Sequence, residues 1–301
     1  MVRLFLKKNG VIIVTIIFLG YLVVNGYVYE KELLNGTKYC DAVKQCLAEK
    51  KEYCPSVDVA CKIRPYSLDS TTVFFNILVL EGFGKFFSIE LFSPLLIIIV
   101  TTYWFHQNLK SGNFKNELTR MSYKDFLKKN YKRILKIGLI LPLMLVFLYI
   151  LSYTISTGFQ MSQDMITGKD PTSSIDLIFR NKVPIYLLVM LINIYLNSLF
   201  YSNLALITAK KFKNPIISII CAYLIFFAIT FFFEVFLNAI FYHLFGITVF
   251  TWLTLLNFYA YDGVKSLTAM VFLALFLWGI TSYINYKYYK NKEEVIMDSE
   301  K

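Results

Sequence analysis

The amino-acid sequence predicts an all-helical integral membrane protein with six transmembrane helices and both termini in the cytoplasm. Composition is the first reason: 57% of the 301 residues are hydrophobic and 17% are charged, whereas soluble domains are about 45–50% apolar and about 25% charged. The second reason is the number of long apolar stretches, and the third is the placement of Lys and Arg between them. A soluble fold of this length could not bury so much apolar surface, so we expect lipid to solvate part of the chain.

Six stretches are apolar over nearly the length that crosses a bilayer, which is about 20 residues. They cover residues 11–28, 88–105, 134–155, 183–207, 216–233 and 267–284. The first is followed by a charged loop rather than by a cleavage site of small residues, so we expect it to be retained as an anchor. The fourth contains Asn193, Asn197 and Asn203, which predicts that it packs inside a bundle. These three side chains are also candidates for lining a substrate pathway.

Positive charge sets the expected orientation. With the N-terminus inside, most Lys and Arg residues fall in cytoplasmic segments, as the positive-inside rule requires. The sequence therefore predicts a single transmembrane domain, residues 1–301, with an extracellular loop at 30–87 and a cytoplasmic tail at 286–301. The net charge of +11 does not indicate nucleic-acid binding, because the basic residues lie between apolar segments. The Lys-, Asn- and Ile-rich composition is typical of a low-GC bacterium, so we expect the membrane to be a bacterial cytoplasmic membrane.

Four of the five cysteines lie in the loop that charge places outside: Cys40, Cys46, Cys54 and Cys61. An oxidising compartment permits disulfides, so we expect two of them in this loop. Four cysteines allow three pairings, and the sequence does not select one. A metal site is disfavoured, because the spacing is not of the Cys-x₂-Cys type and the loop contains no His. No metal is therefore predicted.

The sequence contains none of the motifs that cradle nucleotide phosphates or carry out hydrolysis, such as G-x-x-x-x-G-K-[ST], H-E-x-x-H or G-x-S-x-G. Its two histidines, His106 and His243, are predicted to lie on opposite faces of the membrane. The centres of the apolar stretches contain no acidic residues, which an ion-coupled carrier would need there. We therefore expect no enzymatic activity and no cofactor in this chain.

The cytoplasmic loop between the second and third stretches carries a helical pattern. Phe114, Leu118 and Met121 recur at the spacing of one helix face, and charged residues occupy the other faces. Ser122 followed by Asp125 resembles a capping box, so a second helix is predicted to begin there and lead into the third stretch. The alternative interpretation is a basic loop held on anionic lipid headgroups.

This arrangement resembles the ABC-2 type family of ABC transporter permeases. The family has six spans with both ends inside, a short helix between spans two and three, and short outer re-entrant helices between spans five and six. Residues 111–115, 118–120 and 122–124 match the family's pattern in the loop, and residues 235–261 match the re-entrant hairpin. Two features differ: the family's acid four positions before the glycine is Asn108 here, and the four-cysteine loop is unusually long.

The resemblance implies that this chain is the permease of an exporter for an amphipathic or hydrophobic substrate, such as a peptide, a drug or a lipid-linked molecule. A separate cytoplasmic ATPase would bind the short helix as a coupling helix, with Phe114, Leu118 and Met121 as apolar anchors and Glu117 and Arg120 at the rim. Two permease halves are needed, so a second copy or a homologous permease is implied. The coupling residues are then Gly112, Asn113, Phe114, Glu117, Leu118, Arg120 and Met121. The alternative function is a non-transporting membrane sensor or assembly protein with a disulfide-bonded outer loop.

Overall fold

A computed structural model of the chain describes residues 89–155, 183–245 and 267–290, together with the isolated positions 20, 45, 48 and 49. Every element in the three long ranges is helical and none is a strand, which confirms the all-helical prediction for this part of the chain. The elements are α1 (Ile89–Lys110), α2 (Asn113–Arg120), α3 (Tyr123–Gly138), α4 (Ile140–Ile155), α5 (Val183–Lys211), α6 (Pro215–Phe231), a π-helical segment (Phe232–Leu237), α7 (Asn238–Phe245) and α8 (Leu267–Tyr289).

Helix α5 is the centre of the described bundle and contacts α1, α3, α4, α6 and α8. Its sequence suits this position, because small and polar residues between the large ones let neighbouring helices approach closely. Phe200, Tyr201 and Ala205 are completely buried, and so are Asn193 and Ser198. The prediction that the fourth apolar stretch packs inside a bundle is therefore confirmed.

Gly138 lies where α3 closely approaches α5. A Cβ atom there would lie 2.6 Å from Leu199 Cδ2 and 3.2 Å from Tyr195 Cε2, so a larger residue would force these side chains or the helices to shift. Leu139 follows with right-handed helical backbone angles and accepts a hydrogen bond of 3.0 Å from the Leu143 N–H. The third predicted stretch, 134–155, is thus two helices that meet at Leu139, and the first of them already begins at Tyr123.

Within the described ranges, two helical segments are long and apolar enough to cross a membrane: Leu187–Lys211 and Pro215–Phe245. The predicted re-entrant hairpin at residues 235–261 is described only as far as residue 245 and stays a prediction. The second segment runs without a break from α6 through the π-helical segment into α7. The physical reason is that no Pro or Gly interrupts residues 232–245. The rest of the predicted hairpin, the first stretch at 11–28 apart from position 20, loop 30–87 apart from positions 45, 48 and 49, and residues 291–301 lie outside the described residues.

Candidate functional site

The candidate site is an elbow, residues 112–133, formed by α2 and most of α3 at the end of the bundle that charge assigns to the cytoplasm. The chain turns into α2 at Gly112, whose φ of 67° is left-handed and suits glycine because it has no Cβ. The Asn113 side-chain amide donates to Asn108 Oδ1 at 3.3 Å, and the Asn108 amide donates to the Trp104 carbonyl at 2.7 Å. The predicted helix start is confirmed, and Asn108 stabilises it.

The second predicted boundary is also confirmed. Helix α2 ends at Arg120, and Met121 has an extended backbone. Ser122 then caps α3, because its hydroxyl oxygen accepts a hydrogen bond of 3.2 Å from the Asp125 N–H. The extended backbone of Met121 and the cap at Ser122 together fix a sharp break between α2 and α3.

The apolar side of α2 packs on its own chain. Phe114 is 3% exposed and Leu118 is 8% exposed. The Phe114 ring lies with its centroid 5.6 Å from that of Phe105 on α1 and 5.5 Å from that of Phe126 on α3. These rings belong to one core that also contains Ile134, Leu199, Leu206 and Ala209. The core joins α2 to both neighbouring helices and to α5.

The resemblance implies that Phe114 and Leu118 insert into a groove of another subunit, whereas here both are covered by their own chain; their coupling role stays a prediction. Met121 is half-buried against the same core. The cover has a simple cause: α2 is joined by short turns to long apolar helices, so its apolar face is buried without any cost of association. Periodicity identified the apolar face, but it does not show which surface covers that face.

Glu117 is likewise held by contacts within the chain, and its rim role stays a prediction. Its Oε1 lies 2.7 Å from Arg133 Nη2 and 3.0 Å from Lys129 Nζ, both on α3. Burial acts to raise the pKa of the Glu117 carboxyl, but the hydrogen bonds and charges of Arg133 and Lys129 outweigh it and hold this pKa below its ordinary value. The pairing was not predicted, although Lys129 and Arg133 are like charges at i, i+4, an unfavourable spacing that an acidic side chain beside them would relieve.

The outer side of α2 is polar and exposed. It presents Asn113, Lys115, Asn116, Thr119 and Arg120. Of the predicted coupling residues, Asn113 and Arg120 are therefore accessible to a partner, whereas Phe114, Glu117 and Leu118 support the helix from behind. The surface available for docking is polar and basic.

The elbow is also tied to the end of α8. The Tyr123 hydroxyl donates to the Tyr289 carbonyl, and the Tyr289 hydroxyl donates to the Leu206 carbonyl of α5 at 3.2 Å. The Tyr289 ring also packs against Phe105, with 6.0 Å between centroids. Tyr123 and Tyr289 were not predicted as site residues, because they are far apart in sequence and no spacing links them.

The three asparagines proposed for a substrate pathway are at most 3% exposed. Asn203 donates from its amide to Ser282 Oγ at 2.9 Å, and Asn285 donates to Asn203 Oδ1 at 3.1 Å. The Asn197 amide donates to the Asn193 carbonyl at 3.0 Å. Asn203 thus connects α5 to α8, and all three lie inside the bundle of a single chain. Their role in a pathway stays a prediction.

Cys40, Cys46, Cys54 and Cys61 lie outside the described ranges, so their two disulfides also stay a prediction. Cys221 on α6 is a free thiol. Within the described residues, no three His, Cys, Asp or Glu side chains come close enough together to hold a metal ion.

No family model, curated protein or solved structure matches this chain. Its function is therefore inferred from its own residues and their geometry.

Proposed function

We propose that this chain is the transmembrane permease subunit of an ATP-driven exporter of the ABC-2 type, a six-span protein of the bacterial cytoplasmic membrane. A separate cytoplasmic ATPase hydrolyses ATP, and a second copy of the chain or a homologous permease completes the transporter. The chain itself makes and breaks no covalent bonds. Its substrate is an amphipathic or hydrophobic molecule, such as a peptide, a drug or a lipid-linked compound.

The observation that carries the proposal is that α2 is fixed to three other parts of the bundle while its polar side is exposed. Phe114 packs between Phe105 and Phe126, and Glu117 is paired with Arg133 on α3. Packed cores of this kind transmit displacement because they deform little. A force on the exposed side of α2 would therefore move α1 and α3 with it, which is what coupling to an ATPase requires.

The polar side of α2 would be the docking surface. Lys115, Asn116, Thr119 and Arg120 are exposed there, so a partner with an acidic or polar groove would be complementary to it. This is a different contact from the apolar anchor that the resemblance implies. It leaves the core behind α2 intact when the partner binds.

The outer surface of the bundle supports a membrane location. Large apolar side chains point away from the core on several helices, with Leu143 on α4 63% exposed, Ile216 on α6 65% exposed and Phe272 on α8 69% exposed. Soluble monomers rarely expose extended apolar surfaces of this kind, whereas lipid or an apolar substrate would cover them favourably. The two long apolar helices agree with this location.

Site-specific photo-crosslinking from α2 tests the proposal. A photoreactive amino acid at Asn116 or Thr119, both on the exposed side of α2, should capture a protein that carries a phosphate-binding G-x-x-x-x-G-K-[ST] loop. The captured protein is identified by mass spectrometry, and copurification of the same ATPase with the unmodified full-length chain gives an independent check.

The matched control places the photoreactive group at Lys132, which is exposed on α3 but on another face of the elbow. We expect little or no ATPase at that position. Equal capture at all three positions would mean that the contact is not made through α2. Failure to recover an ATPase by crosslinking or copurification would favour the sensor or assembly function instead.

A further inference from the structure

The exposed face of α3 carries lysines at a regular spacing. Lys124, Lys128, Lys132 and Lys136 are each four residues apart, and all four are exposed. Because an α-helix turns by about 100° per residue, they lie within about 120° of one another around the axis. Helix α3 therefore has one mainly cationic stripe, distinct from the polar side of α2, with a single exposed acid, Asp125, in the same sector at its Lys124 end.

This stripe is continuous with the apolar outer face of α4. Leu139 keeps a right-handed helical backbone between the two helices, so the angular position of each face carries over from α3 to α4. Leu139, Leu143, Val146 and Ile150 are all more than 40% exposed, and at about 100° per residue they fall within the same sector as the lysines. The buried side chains Phe126, Ile134 and Leu145 lie on the opposite side.

The other two cations in the middle of α3 are already used within the chain. Lys129 and Arg133 both pair with Glu117. No ion pair within the described residues involves Lys132 or Lys136, so their charges are available to an external anion. The flexible alkyl chains of Lys132 and Lys136 also let each ammonium group extend toward α4 along the apolar surface while it stays hydrated.

Distance along the helix separates the four lysines into two pairs. At a rise of about 1.5 Å per residue, Lys136 lies about 5 Å and Lys132 about 10 Å before Leu139, whereas Lys128 and Lys124 lie about 16 and 22 Å away. The headgroup layer on each side of a bilayer is only about 5–8 Å thick. The first pair can reach it when the apolar face of α4 is in lipid, and the second pair extends beyond it.

We propose that Lys132 and Lys136 form a binding surface for the headgroups of anionic phospholipids, at the point where α3 leaves the membrane. The pair presents two positive charges one helical turn apart beside a lipid-facing apolar surface, which is complementary to a phosphate attached to acyl chains. The bound lipid would hold the elbow at a fixed height below the bilayer. The inference requires a membrane location but does not depend on transport.

The test uses the full-length chain in phosphatidylcholine vesicles with spin-labelled phosphatidylglycerol or spin-labelled phosphatidylcholine. The fraction of spin label immobilised by the protein gives the relative association of the two lipids. We expect the wild-type chain to prefer phosphatidylglycerol, and the Lys132→Gln/Lys136→Gln variant to lose about fivefold or more of that preference. Added salt should reduce the wild-type preference, because it screens exposed charges.

The matched control is Lys124→Gln/Lys128→Gln, which removes the same charge from the same stripe at a greater distance from Leu139. It should lower the preference less than about twofold, since the lost charges lie beyond a Debye length of about 8 Å from the headgroups. Lys132→Arg/Lys136→Arg should retain the wild-type preference, which separates loss of charge from loss of folding.

Three outcomes would overturn the inference. Equal losses in the two glutamine variants would show only a general effect of net charge. A wild-type chain with no preference for phosphatidylglycerol would mean that another protein surface or a second copy covers this face. Loss of preference in the arginine variant would point to a structural role for the lysines. None of these outcomes bears on whether α2 binds an ATPase, which the crosslinking experiment decides.

Discussion

The elbow and the interface between α5 and α8 are held together by different interactions. In the elbow, aromatic rings surround Phe114, and Glu117 forms ion pairs with Lys129 and Arg133 at the edge. Between α5 and α8, polar groups form contacts, among them the amides of Asn203 and Asn285 and the hydroxyls of Thr281 and Ser282. In the membrane location proposed here, the difference follows from the solvent. Apolar burial stabilises helices that face water, whereas lipid is as apolar as Leu, so polar groups and close packing bring helices together.

The largest effect is expected at the centre of the elbow. Phe114→Ala would leave a cavity among Phe105, Phe126 and Leu118, at a cost of about 3–5 kcal/mol in the free energy of unfolding. Asn116→Ala, on the exposed side of the same helix, should change it by less than about 0.5 kcal/mol. Denaturation in mixed micelles followed by circular dichroism measures both. A wild-type stability for Phe114→Ala would mean that α2 does not pack on the bundle in solution.

A smaller loss is expected where α3 approaches α5. Gly138→Ala would place a Cβ 2.6 Å from Leu199 Cδ2, so the buried Leu199 side chain or the helices must shift, and overpacking of this kind costs about 1–3 kcal/mol. Gly279→Ala on α8 is the matched control, because a Cβ there would have nothing within 4 Å, and Ala favours helix by up to about 1 kcal/mol. The apparent Tm should fall for the first variant and stay level or rise for the second. An equal fall in the apparent Tm of both variants would exclude the close approach of α3 to α5 as the cause.

A substitution in the polar interface between α5 and α8 should lower the free energy of unfolding less than Phe114→Ala or Gly138→Ala does. Asn203→Ala removes hydrogen bonds to Ser282 and Asn285, and hydrogen bonds between membrane helices average about 0.6 kcal/mol, with a maximum near 1.7. A double-mutant cycle with Asn285→Ala isolates the shared contribution. Coupling as large as the loss for Phe114→Ala would contradict the difference between the two regions. If the effects of Asn203→Ala and Asn285→Ala on the free energy of unfolding are additive, the hydrogen bond between the two side chains contributes nothing measurable.

Features of the elbow that depend on neighbouring residues were predicted better than features that depend on residues far apart in the sequence. The start of α2 at Gly112 and the cap of α3 at Ser122 were predicted correctly, because turns and caps depend on residues a few positions apart. The inward direction of Phe114 and the partner of Glu117 were not, because both depend on α3 folding back against α2. Likewise, the continuous helical backbone from α6 through the π-helical segment to Phe245 was not predicted, because the polar residues in that segment suggested a break.

The smallest effect is expected for the ion pair at the edge of the elbow, and it should depend on pH and salt. The side chains of Lys129 and Arg133 are 43% and 32% exposed, so solvent screens their attraction to Glu117, and Glu117→Gln should cost at most about 1 kcal/mol near neutral pH.

The pKa of Glu117 is lowered in the folded chain. Its contribution is therefore complete above the unfolded pKa of about 4.3 and is lost as the pH falls through the lower folded value. The stability difference between wild type and Glu117→Gln, measured by denaturation across this range, should shrink with acid and with added salt. The effect of Asn203→Ala should respond to neither, because its partners carry no charge. A Glu117→Gln difference that persists unchanged in acid would mean that the carboxylate charge does not stabilise the elbow.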